Sequence, residues 1–155
     1  MDEILMRTVI ERAIKNEEDA YQFYTNLQAM VDDAEAKETL GFLASEEVKH
    51  KEFLIRYLEG RVDGTQLAMD DPVDYRIAQY VTKPDIEKDM TTAEVYIVAA
   101  HREWNAHQFY MGLAEIQPEG ELRDLLLNFA NQELRHKEKV EYLYSNTAFP
   151  QTAGG

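Results

Sequence analysis

Leu43–Leu54 reads LASEEVKHKEFL, and it sets Glu47 and His50 three residues apart in a segment whose apolar residues, Leu40, Leu43, Ala44 and Leu54, recur at helical spacing. One helical face therefore carries core residues, an acid and an imidazole. An ionised carboxylate turned into a core loses much of its hydration energy unless it is protonated, paired or bound to a metal, so this pattern requires a compensating partner. The same arrangement returns 86 residues later, where Phe129, Ala130, Glu133, His136 and Val140 draw the stripe through FANQELRHKEKV.

The repeat extends outward from these helices. AIKNEEDAYQFY from Ala13 aligns without a gap on AAHREWNAHQFY from Ala99, again at an offset of 86, which pairs Glu17 with Glu103 and sets Glu18 opposite Trp104. A first helix capped by Asp2 runs to about Val31, with Ile10, Ala13, Ile14, Ala20, Tyr21, Tyr24 and Leu27 on one face. Asp32 and Glu35 resemble a capping box for a second helix, which Gly60 ends. Thr91 and Glu94 make a capping box for a third helix to about Ile116, and Pro118 suits the first turn of a fourth that continues to about Tyr144. Two such hairpins facing each other across a pseudo-twofold axis make one all-α four-helix bundle.

Glu17 and Glu47 each lie 15 residues from the turn near Asp32, and Glu103 and Glu133 each lie 15 from Pro118. Each leg is roughly 22 Å at about 1.5 Å per residue, so all four carboxylates are expected at one level, near the helix midpoints. Residues 60–90 form one long crossover, far longer than the roughly 2–8 residues usual between antiparallel neighbours. Its apolar patch DYRIAQYV reads equally as a short helix or as an extended strip on the bundle. The expected domain is 1–145, with 146–155 a flexible tail.

Composition narrows the classes of function. The 155 residues include 7 Gly, 4 Pro and no Cys, and carry a formal net charge of −14. Nucleic acid and anionic membranes are therefore poor partners, and cations are better ones. There can be no disulfide, thiolate ligand or cysteine nucleophile, which fits a reducing compartment. The longest apolar run, Val95–Ala100, cannot span a bilayer, and MDEILMR lacks the features of a signal peptide, so a soluble cytoplasmic protein is expected.

Four carboxylates and two imidazoles in one layer suit iron or manganese better than magnesium or a thiophilic metal. Four carboxylates balance two divalent cations, so the expected site is dinuclear, with Glu47 and Glu133 bridging, Glu17 and Glu103 terminal, and His50 and His136 serving one metal each. Tyr24 and Tyr110, seven residues after Glu17 and Glu103, are placed to hydrogen-bond a ligand carboxylate. His107, one turn after Glu103, is a candidate seventh ligand, whereas His101 is expected outside the site. Trp104 and the HKE triplets at His50 and His136 read as packing and solvated faces.

Over nearly all of residues 3–145 the chain resembles the rubrerythrin-like branch of the ferritin-like diiron-carboxylate proteins. The resemblance is carried by a Glu in an AIxxExxAYxFY-like helix followed by ExxH, each present twice, as Glu17, Glu47, His50, Glu103, Glu133 and His136. It implies two iron ions per chain, reaction with hydrogen peroxide or dioxygen, a homodimer, and a part in oxidative-stress defence or iron handling. Two departures bear on the chemistry. The four Cys of a rubredoxin-like domain are missing, so an external electron donor is expected. Ala106 stands where such proteins carry an extra Glu, which keeps open the alternative of an iron-binding ferroxidase without turnover of a separate substrate.

Overall fold

Four long helices carry the fold of the computed structural model, which describes residues 3–63, 72–87 and 89–149. α1 spans Glu3–Met30 and α2 Ala34–Leu58; α3, Ile77–Tyr80, is a single turn inside the crossover; α4 spans Thr92–Glu115 and α5 Glu121–Ala148. α1 packs along α2 and α4 along α5, and both α1 and α2 meet α4. The expected all-α architecture of two hairpins and a long crossover is the one found, consistent with a ferritin-like bundle, and the described residues include no strand. None of these helices is long and apolar enough to cross a membrane.

Helix ends differ from expectation in instructive ways. Asp33, not Asp32, caps α2, in extended backbone with its carboxylate accepting from the Ala36 amide at 2.8 Å. Glu35 is drawn away from a capping role by Tyr96, whose hydroxyl donates to it at 2.9 Å across the bundle. The Thr91–Glu94 box forms as expected, with both reciprocal bonds present. α5 begins at Glu121 rather than at Pro118, because Gly120 interrupts the turn with φ 153°, a conformation that only glycine adopts easily. At its other end α5 continues past Tyr144 to Ala148. The expected Asp2 cap and residues 150–155 of the expected tail lie outside the described residues.

The core is divided in two by the acidic layer. Below it Ile10, Ala13, Leu54, Leu113, Leu125 and Phe129 form one buried cluster. Above it Leu27, Leu40, Leu43, Val95, Val98 and Val140 form a second. Every long helix contributes to both clusters, so Glu17, Glu47, Glu103 and Glu133 fall between two apolar plugs. Val95 through Ala100 are all buried, which a helix covered on one side only would not allow.

The second cover is the crossover, in which the DYRIAQYV ambiguity resolves as a short helical turn, Ile77–Tyr80, flanked by non-helical residues 72–76 and 81–87. Lys137 of α5 is wholly buried, paired with Glu141 at 2.9 Å and with Asp74 of the strap. Glu141 also accepts the Ala78 amide at 2.7 Å, Glu138 accepts the Val73 amide, and His101 Nε2 meets the Val81 carbonyl at 2.7 Å. The second HKE triplet is thus no solvated face: its Lys and Glu hold the crossover down.

Candidate metal centre

The structure brings all six sequence-chosen side chains to one level. Glu17, Glu47, Glu103 and Glu133 are at most 1 % exposed, which for glutamate requires a specific partner, and His50 and His136 are buried beside them. Each helix delivers its acid through the phase that also delivers its apolar residues: Ala13 and Ala20 flank Glu17, Ala99 and Ala106 flank Glu103, and Glu47 and Glu133 follow Leu43 and Phe129 by one turn and precede His50 and His136.

The ligand atoms form two overlapping groups, Glu17, Glu47, His50 and Glu133, and Glu47, Glu103, Glu133 and His136, each with its donor atoms within 4.8 Å of one another. Glu47 and Glu133 belong to both groups, where a bridging carboxylate would have to be. Both histidines turn Nδ1 inward. His50 Nδ1 lies 3.1 Å from Glu133 and 3.5 Å from Glu17, and His136 Nδ1 lies 3.4 Å from Glu47 and 3.5 Å from Glu103. The two imidazoles stack at 5.4 Å with 11° between their planes, and Phe129 stands edge-on to His50.

Tyr24 and Tyr110 reach across the bundle instead of along their own helices. Tyr24 Oη donates to Glu103 at 2.6 Å, and Tyr110 Oη donates to Glu17 at 2.5 Å. Burial, together with the Glu103 charge for Tyr24 and the Glu17 charge for Tyr110, pushes both phenols well above their ordinary range, so they remain protonated donors.

Seven buried donor atoms have no hydrogen-bond partner: Glu17 Oε2, both oxygens of Glu47, Glu103 Oε2, Glu133 Oε1 and Nδ1 of each histidine. Leaving so many polar atoms of one cluster unpaired is costly, and a cation at their centre would satisfy them together. Without one, the groups push each other's protonation. Burial and then the Glu47 charge raise Glu17 and Glu133. Burial would raise Glu47 too, but contacts from Glu17, His136 and His50 outweigh it and pull Glu47 down. Both histidines are raised, because the surrounding carboxylates, Glu17 first for His50 and Glu103 first for His136, overcome the opposing effect of burial. The cluster is compatible with binding a metal ion.

Other candidates fall outside it. His107 turns Nδ1 to the Ala130 carbonyl at 2.7 Å and stacks on Trp104, away from both groups of donor atoms. Ala106, buried, leaves no carboxylate one turn after Glu103. Sequence reasoning missed Glu46, whose Oε1 stands 3.8 Å from the outward Nε2 of His136. The His136 ring, against partial burial, and Lys49 at 3.0 Å hold the Glu46 carboxyl at about 2. The only hint was its place beside Glu47 in the EE pair, and the aligned position on the other hairpin is Gln132.

Residues 8–144 match the family model for Rubrerythrin. Comparison with curated proteins and with solved structures gives no significant match.

Proposed function

The chain belongs to the rubrerythrin family, and on that premise we propose that it is a non-haem diiron oxidoreductase that reduces hydrogen peroxide or dioxygen with electrons from a separate donor. The observation that carries this reading is the pair of overlapping donor groups sharing Glu47 and Glu133. Each metal would take one imidazole, one carboxylate of its own and the two shared carboxylates, and four carboxylates would neutralise two divalent cations. Oxygen-rich donors supplemented by nitrogen favour iron, with manganese the alternative. Two iron ions bound there would supply the redox chemistry for the balanced reduction H2O2 + 2H+ + 2e− → 2H2O.

The chain's own residues would hold the geometry. Tyr24 and Tyr110 orient Glu103 and Glu17 and keep protons on their Oη atoms, within hydrogen-bond distance of ligand carboxylates. The apolar clusters above and below keep bulk water from the layer. Elemental analysis of the purified protein is the test: about two iron atoms per chain, lost in the His50→Ala, His136→Ala double variant, is the expected result. Peroxide turnover should be lost in Glu47→Ala and in Glu133→Ala while helicity is retained; unchanged turnover in both would overturn the reading. Buried Ala106 favours a second reading, a ferroxidase that oxidises ferrous iron without a separate substrate, and stoichiometric iron uptake with little multiple turnover of peroxide would select it.

A further inference from the structure

The repeat pairs each residue of the first hairpin with one 86 positions on, and the members of several pairs do different things on the two flanks of the bundle. On the α4–α5 flank, His101 and Glu138 bind the backbone of the crossover, and Lys137 binds Asp74 and lies 5.3 Å from the centroid of the Trp104 ring. Their counterparts at the same offset are Lys15, Glu52, Lys51 and Glu18. On the α1–α2 flank those four side chains line a groove of about 390 Å³, which is lined also by Glu17, Asp19 and Glu47. The positions that seat the crossover on one flank therefore line an opening on the other.

Two features give that groove a direction. Its lining includes Glu17 and Glu47, whose Glu17 Oε2 and both Glu47 carboxylate oxygens are buried without hydrogen-bond partners. Its rim is negative but loosely closed. Lys51 meets Glu18 at 3.0 Å with side chains 37 % and 43 % exposed, and Lys15 turns along its helix to Asp19 at 2.8 Å. Exposed pairs of this kind are weak and exchange readily.

We propose that the α1–α2 groove is the route by which divalent cations reach the buried donors, with Glu18, Asp19 and Glu52 drawing them to the rim and the Glu18–Lys51 pair opening to let them through. This rests on the metal-centre reading above. A cation leaving water exchanges its hydration for carboxylate oxygens step by step, and the groove supplies these from the rim to Glu17 and Glu47. On the α4–α5 flank the described residues of the crossover occupy the matching positions.

The test is rapid anaerobic mixing of the metal-free full chain with Co2+, followed by the absorption of bound cobalt. Glu18→Trp places in the groove the residue that the covered flank carries at the aligned position. It should slow uptake by about tenfold or more, with helicity and final stoichiometry unchanged, and Asp19→Lys should slow it with a weaker dependence on ionic strength. The same tryptophan at exposed Glu11, on α1 outside the groove, should leave the rate as it is. Full occupancy at the unaltered rate in both groove variants would overturn the route and leave the metal centre standing. Equal slowing by Glu11→Trp would also overturn the route, and failure of the unaltered protein to bind cobalt would overturn both readings.

Discussion

At the scale of single residues the centre rests on groups that are unfavourable alone. Tyr110 gives Glu17 a donor inside a layer without other hydrogen bonds to it, so Tyr110→Phe leaves a buried carboxyl oxygen unpaired. It should cost the metal-free protein about 1–3 kcal/mol in urea denaturation, whereas Tyr142→Phe, at an exposed position, should be nearly neutral. The raised Glu17, Glu133, His50 and His136 retain protons over a range where the ordinary side chains have lost them. A cation must displace those protons, so metal binding should acidify a weakly buffered solution, and affinity should fall as pH is lowered. Affinity that does not change across about pH 5–8 would contradict this. That these six side chains converge was legible because a charge on an apolar stripe is conspicuous, and a repeat fixes which of two adjacent glutamates is meant. The partners of Tyr24 and Tyr110, and Glu46 beside His136, were not, since contacts between hairpins depend on helix rotation and depth, which linear spacing does not carry.

At the scale of elements, the four long helices follow from periodicity and capping residues, and their ends shift by a few residues where a competing bond intervenes, as Tyr96 does at Glu35. The strap was the least legible element. Among its described residues the helical part is a four-residue turn entered through Arg76 in left-handed backbone at φ 59°, and so short a piece has no periodicity to read. Its anchor is equally silent in the sequence, for Lys51 and Lys137 sit at aligned positions yet one is half-buried and the other wholly buried. Lys137→Met should therefore cost about 3–5 kcal/mol by leaving Glu141 buried without its counter-charge. Lys51→Met should stay within about 0.5 kcal/mol in the same denaturation assay. Burial opposes ionisation of Asp74, but its bonds from Lys137 and the Arg76 amide prevail and lower it below the ordinary 3.8. The contribution of that pair is accordingly complete above the ordinary carboxylate range and is lost as pH falls through the lowered value. Amide exchange at Ala78 should report the loosening.

At the scale of the whole molecule, two apolar plugs enclose a layer of four carboxylates in a chain of net charge −14. Chelation should therefore lower stability, and reloading should restore it. At free metal near 100 times the dissociation constant a single site adds about 2.7 kcal/mol, or roughly 5–10 °C in melting temperature for a chain of this size. A melting temperature indifferent to chelator would mean that the layer is satisfied without a cation. The reciprocal bonds Tyr24–Glu103 and Tyr110–Glu17 tie this dependence to the docking of the hairpins, because each hairpin steadies a carboxylate that belongs to the other. Neither half holds a complete donor group by itself. A chain whose hairpins meet out of register assembles neither donor group, so misassembly leaves scattered acids in place of a cage and forfeits the site as a whole.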